Sequence, residues 1–324
     1  MTLGLSRGQW LLLSTAMIFL LLIPFNLQRF GIYMLSLWCV FVVAAHGLNL
    51  TMGYAGQISL GHAAFFGIGA YASALLVKAG LSFWLALPAA GVLCLVAGIV
   101  VGFPALRVQH HYLAFATLGF NVLVWLFLRN EEWLTGGNFG VRDIARPSLF
   151  GVSLDGNLAF YYACLALLAV ASYALAFLLA SPWGRAFAAL RDNPIRAESL
   201  GIDIRAYTLA AFAIGAFYAG IAGAFFAPLV GYIDPSPFHF AQSLSFLMAV
   251  IVGGSGRFFG PYLGIAVLIL LPEWLRGLSG GGLTKIAQDW YLVGFGLMVL
   301  AMMIWSPGGL SGLFGNAFRS SKPK

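Results

Sequence analysis

The side chains with the most chemistry to offer lie in residues 49–62, where Asn49, Gln57, Ser59 and His62 interrupt two long apolar runs. An amide, a second amide, a hydroxyl and an imidazole can hydrogen-bond a small polar solute. They lack the spacing of a nucleophile with its base and orienting group. Glycines crowd the same stretch: Gly47, Gly53, Gly56, Gly61, Gly67 and Gly69. Glycine lets backbones approach closely and lets a helix break. A broken helix in lipid survives only where protein or a water-lined cavity satisfies the freed N–H and C=O groups. Polar residues at such a break mark a substrate path. The same residues also suit a packing seam in which each polar group bonds a neighbouring helix.

A second polar pair, Thr117 and Asn121, is four residues apart and therefore on one helical face. It suits a pathway wall or a bond between helices. The third feature is the loop 181–205, which reads as two short helices. Asn193 caps the second, with Pro194 at its first position and Gly201 just past its end. Phe187, Leu190, Ile195 and Leu200 form an apolar side that can enter a partner's groove, while Arg185, Arg191, Arg196 and Glu198 stay wet. A loop of this composition can also lie on anionic lipid.

Other chemistries lack their residues. No phosphate-binding GxxxxGK[ST] run, HExxH or Cys/His cluster occurs, and the apolar segments carry no acidic pair for proton coupling. The chain is therefore expected to be neither an ATPase, a membrane enzyme nor a proton-driven carrier, and to take its energy from a partner. Cys39, Cys94 and Cys164 lie inside apolar runs and read as small hydrophobes.

The elements that position these residues are membrane helices. Of 324 residues, 61% are hydrophobic and 8% charged, whereas soluble domains carry about 25% charged residues. Spans of about 20 apolar residues place helices at 10–25, 31–51, 57–77, 83–103, 112–128, 158–180, 206–228, 241–252, 260–275 and 289–305. The whole chain, 1–324, is one all-α membrane domain of about ten transmembrane helices, some short or broken. The first run is read as a retained helix and not as a cleaved leader. Ten crossings put both termini on one side. Placing that side in the cytoplasm puts ten of the 17 Lys and Arg there, in keeping with the positive-inside rule. Loop 181–205 is then cytoplasmic and loop 130–157 periplasmic. The net charge of +7 belongs to those loops and to contact with lipid headgroups, and no basic run interleaved with aromatics suggests nucleic acid. Gly53-x-x-Gly56 and Gly253-Gly254-x-Gly256 each follow an apolar segment and precede a helix, a hint of an internal repeat.

The run from Gly47 through GLNLTMGYAGQISLGHAAFFGIGAYASALL resembles the branched-chain amino acid ABC transporter permeases of the LivM type. The Met-Ile-Asn-Phe-Ala-His-Gly-like run of the LivH type is missing. Further matches cover nearly the whole chain. They are the Tyr112–Asn121 run (with His111 where the family has Gly or similar), the Thr135-Gly136-Gly137 run, Asp234-Pro235, Gly253–Pro261 and Pro307–Gly312. Loop 181–205 is similar to the family's ATPase-coupling loop at Gly184, Arg185, Arg191, Asp192, Asn193, Glu198 and Gly201, and at Ala186 and Ala197.

The resemblance implies a permease subunit in the bacterial inner membrane. It would pair with a LivH-like permease, two cytoplasmic ATPase subunits and a periplasmic substrate-binding protein. It would bind no cofactor itself, ATP and Mg being used by the partner ATPases. Asn49, Gln57, Ser59, His62, Thr117 and Asn121 are the candidate substrate-path residues. The same machine for urea or another small amide or amino acid is the alternative cargo. A stand-alone secondary carrier or channel is the alternative class, against which the coupling loop argues.

Overall fold

The computed structural model describes residues 20–105, 110–149, 152–278, 293, 296, 297 and 308–312. All but residues 293, 296 and 297 of the expected tenth helix, and the basic tail beyond 312, lie outside the described residues. So does most of the first helix, which is described from Leu20, where a helical turn runs into a 3-10 turn at Ile23–Asn26 around Pro24.

The main helices are α1 (Arg29–Leu48), α2 (His62–Lys78), α3 (Phe83–Ala105), α4 (His110–Asn130), the one-turn α5 (Glu132–Thr135), α6 (Asn157–Ala180), α7 (Pro182–Asp192), α8 (Pro194–Ser199), α9 (Ile204–Val230), α10 (Phe240–Gly253) and α11 (Gly260–Leu278). Among the described residues, five helices are long and apolar enough to cross a membrane, with three shorter apolar helices beside them. The protein is a predominantly helical membrane protein. Its one strand pair among the described residues, Ser148–Leu149 with Val152–Ser153, is antiparallel and lies in the 130–157 connection.

α9 is the central element and packs against α1, α2 and α3. Gly215, Ala216, Ala219, Gly220, Ala222, Gly223 and Ala224 are all buried along it. In lipid no hydrophobic drive joins helices, so close backbone approach supplies the packing, and these small residues permit it. α10 and α11 form a second pair that closes over α1.

The connections gather at two ends of the bundle. At one end the 130–157 segment is strapped to the turn after α9: Val141 and Ile233 exchange backbone bonds of 2.9 and 3.0 Å, and Ile144 N–H donates to Gly231 O at 3.1 Å. Trp84 Nε1 donates to Ser148 O at 2.7 Å on the same side. At the other end, residues 53–56, α7, residues 254–257 and residues 308–312 meet.

Sequence and structure part company where glycines crowd. The span expected to end at 51 continues from α1 into a π-turn, Asn49–Tyr54, and the helix expected from 57 begins at His62. Residues 55–61 between them are non-helical.

Candidate functional site

The break starts as a widened turn. Ala55 N–H donates to Leu50 O at 3.0 Å, an i→i−5 bond, and Gln57 N–H donates to Thr51 O at 2.9 Å. Thr51 Oγ holds the turn to its surroundings by donating to Gly47 O at 3.1 Å and, alternatively, to Ala211 O of α9 at 3.3 Å. The chain then runs back into the bundle. His62 Nε2 lies 2.7 Å from Ala44 O. A carbonyl only accepts, so Nε2 carries the proton. Ala44 precedes the end of the π-turn by ten residues, about 15 Å of helix, a height within reach of the non-helical segment 55–61 at up to about 3.3 Å per residue. α2 therefore begins well inside the bundle, which is why 17 residues suffice for it.

Irregular backbone at that depth needs partners, and the site residues supply them. Thr117 Oγ accepts from Leu60 N–H at 2.9 Å, and Ser59 Oγ lies 3.4 Å from Gly61 N. Ala63 N–H in the first turn of α2 donates to Ser243 Oγ of α10 at 2.9 Å, and Ser243 Oγ donates to Asn121 Oδ1 at 3.2 Å. Thr117, Asn121 and Ser243 are fully buried, and Asn121 Nδ2 has no partner. The break thus gathers Ser59, His62, Thr117 and Asn121 around the start of α2. Ser243 completes the group; a lone serine in an apolar run carries no signal in the sequence. On one side of this polar group stands an aromatic cluster. Phe246 meets the His62 ring edge-on at 5.9 Å, and Phe41 and Phe66 meet Phe246 at 5.2 and 5.8 Å. Ile58 projects outward and is 48% exposed.

Two of the six expected path residues sit apart from that group. Gln57 is buried, with its amide 3.4 Å from Ala55 O. Asn49 is a clamp: its Nδ2 donates to Arg257 O at 3.0 Å and its Oδ1 accepts from Gly256 N–H at 2.8 Å. The two glycine turns paired by pattern in the sequence therefore stand against each other, joined by one amide. Asn49→Ala leaves Gly256 N–H without this partner and removes one of two donors from Arg257 O, which keeps Gly260 N–H at 3.2 Å. It is expected to destabilise the chain by about 2 kcal/mol or more, read as a lowered melting temperature in detergent; an unchanged midpoint would rule the clamp out.

Loop 181–205 forms the two expected helices. Ser181 Oγ accepts from Trp183 N–H at 3.2 Å, Asn193 Oδ1 from Arg196 N–H at 3.0 Å, and Asp203 Oδ1 from Ala206 N–H at 3.0 Å. Each element of the loop thus starts on its own side-chain cap. The expected apolar side does not hold together as one docking face. Phe187 and Leu190 are buried in this chain, with Trp183 and Phe187 against Tyr207 at 5.1 and 6.2 Å. Ile195 and Leu200 point away, at 79% and 80% exposure. Gly184 is required by packing, since a Cβ there would strike Leu179 O. Arg185, Asp192, Glu198 and Gly201 are exposed. Arg191 is exposed, as expected, and also donates from Nη1 to Gly53 O.

In the loop at the opposite end, Thr135 Oγ is within bonding distance of Leu128 O and Glu131 O, at 2.8 and 2.7 Å. A Cβ at Gly140 would strike Ile233 O, so the glycine-rich run there is what lets the strap close. The three cysteines are buried and free. No group of three His, Cys, Asp or Glu among the described residues could hold a metal ion.

Comparison with known proteins places this architecture. A family described as "Branched-chain amino acid transport system / permease component" matches residues 31–303. The chain is 35% identical, over 95% of its length and 76% of the relative's, to the high-affinity branched-chain amino acid transport system permease protein LivM of Escherichia coli K12. It is 27% identical to the autoinducer 2 import system permease protein LsrC of E. coli O9:H4, over 75% of this chain and 73% of that one. The high-affinity branched-chain amino acid transport system permease protein LivH of E. coli K12 is 26% identical over 84% of this chain and 92% of its own. No solved structure matches. A helix broken at depth, a polar group at the break and a capped two-helix loop thus occur in a chain that belongs to the family of branched-chain amino acid transport permease components.

Proposed function

We propose that this chain is the membrane-spanning subunit of an ATP-driven importer of branched-chain amino acids and forms half of the translocation path. The observation that carries this is the start of α2 inside the bundle. There the buried polar atoms of Ser59, His62, Thr117, Asn121 and Ser243 adjoin an aromatic cluster. A solute with an ammonium, a carboxylate and a branched apolar side chain matches both halves of that lining. Asn49 and Gln57 complete the path residues, Asn49 by holding the turn below the break. The buried, unpartnered Nδ2 of Asn121 is a donor available to a carboxylate.

The eight apolar helices described, with the apolar segments at 10–25 and 289–305, make a span of about ten crossings. Loop 181–205 and the turns at 53–56 and 254–257 face the cytoplasm, and loop 130–157 faces the periplasm. Both termini are cytoplasmic. The partner permease is LivH-like, as a related pair of permeases in one system suggests. A periplasmic binding protein delivers the solute to the strapped 130–157 loop. Two ATPase subunits hydrolyse ATP with Mg and move the 184–201 loop, so Ile195, Leu200, Arg185, Asp192, Asn193, Glu198 and Gly201 meet them. Closure of the ATPases then switches the break between outward and inward access. The binding protein supplies affinity, so the site within the membrane is weak and transient.

Uptake of labelled leucine and of urea, in vesicles holding the chain with its partner subunits, tests the reading. Leucine uptake that requires ATP supports it. Urea uptake keeps the machine and changes the cargo, and uptake without ATP overturns the coupling role of the loop. Gln57 probes the path itself. Its amide makes one long bond to a near neighbour, so Gln57→Ala at this buried position should cost no more than about 1–2 kcal/mol. Uptake is expected to fall with the complex intact; unchanged uptake would make Gln57 a packing residue.

A further inference from the structure

We infer that Arg191 is a positioning residue that fastens α7 to the helix break, so that displacement of the 181–205 loop is delivered to residues 55–61 through one guanidinium. The inference deepens the proposed function and rests on that loop meeting the ATPases.

The geometry is specific. Arg191 lies in the last turn of α7, and its Nη1 donates to Gly53 O within the π-turn that precedes the non-helical segment. Glycines make room for it. At Gly256, with φ 73°, a Cβ would fall on Nη1 and lie 3.0 Å from the guanidinium carbon. At Gly56, with φ 72°, a Cβ would lie 3.4 Å from Arg191 Cα and 3.6 Å from its Cβ. The turn behind the guanidinium is held on two sides. Asn49 clamps Gly256 N–H and Arg257 O, and Arg257 Nη1 donates to Ser311 O at 3.0 Å. α7 itself is seated by Phe187 and Leu190, both buried.

The loop thus divides its labour. α8 presents Ile195 and Leu200 outward, while α7 is anchored inward and reaches the break through Arg191. The anchor falls on a π-turn, where the helical ladder already departs from i→i−4 pairing and little regular structure resists movement. A guanidinium is always charged and presents several donors in a rigid plane, so it transmits position better than a flexible ammonium would.

The test uses the assembled complex with its partner permease, ATPases and binding protein in vesicles. Labelled leucine uptake, ATP hydrolysis and maleimide labelling of Ile58→Cys are followed with and without ATP. In the parent complex, ATP changes the labelling rate. With Arg191→Ala the subunits should still copurify and hydrolyse ATP, while uptake falls by about tenfold or more and labelling no longer responds to nucleotide. Arg191→Lys should fall between. Copurification lost with Arg191→Ala would make the residue a docking contact and overturn the inference, as would labelling that still follows ATP.

A covalent replacement gives a second reading. The Cβ spacing between positions 56 and 191 is in the range of a disulfide. Gly56→Cys with Arg191→Cys should be inactive when reduced and regain uptake when oxidised. Uptake in the reduced pair that oxidation abolishes would mean that the two segments must separate, and would overturn the inference. A parent complex without ATP-dependent uptake would instead bring down the functional reading, and the role of Arg191 with it.

Discussion

Replacing Gly223 with valine is expected to leave almost no folded chain in the membrane. A Cβ at Gly223 would strike Phe66 O and lie 2.9 Å from Ala70 N. Across the same crossing, a Cβ at Gly69 would fall on Gly220 O and lie 2.5 Å from Gly220 Cα. The obstacle is backbone, which cannot turn away as a side chain can, so α9 must shift bodily off α2. α9 also packs on α1 and α3, and a Cβ at Gly47 would strike Gly215 O, so no direction of shift is free. Overpacking by a few atoms costs about 1–3 kcal/mol where neighbours can adjust; here the loss should exceed about 3 kcal/mol. Membrane abundance and the melting temperature in detergent report it. Gly119→Ala is the control, since nothing lies within 4 Å of its Cβ position, and alanine there should stabilise the isolated chain by up to about 1 kcal/mol. A Gly223→Val chain that accumulates and melts normally would refute the backbone-to-backbone crossing.

The second large effect is expected at α8. Ile195 and Leu200 are 79% and 80% exposed, so Ile195→Asp combined with Leu200→Asp should leave the chain's own stability within about 0.5 kcal/mol. In an ATPase groove the same carboxylates would be buried without partners. A cost of about 3–4 kcal/mol corresponds to roughly 100- to 1,000-fold weaker association. The ATPases should be lost on purification and ATP-driven uptake with them. Retained ATPases and normal uptake, with altered binding to anionic vesicles, would put α8 on the lipid surface instead.

The contrast between these two sites marks what each level of organisation decides. Helix positions were legible to within a few residues in most of the chain, because apolar length and bounding charges are local properties. α3, α6 and α9 run at Phe83–Ala105, Asn157–Ala180 and Ile204–Val230, close to the spans expected. The two-helix loop was legible for the same reason: Asn193 caps its own neighbour three residues on. The break was legible as glycine density, although its extent was not. Length counting started α2 five residues early, since the apolar residues in 55–61 satisfy a span equally well whether helical or not.

The amino-acid sequence by itself determined a helical membrane chain, its family, a glycine-marked break with polar residues near it, and a capped loop between two spans. Only the tertiary structure decided where each side chain turns. An amphipathic pattern says which face is apolar and is silent about what covers it, so Phe187 and Leu190 went to this chain's own core while Ile195 and Leu200 stayed outside. Asn49 became a clamp on Gly256 and Arg257, and Ser243 joined Asn121 across 122 residues. Arg191, though exposed, reached Gly53 O. Those partners are distant in sequence, and their meeting depends on how closely glycine and alanine let the helices of the bundle approach, a geometry no local signal carries.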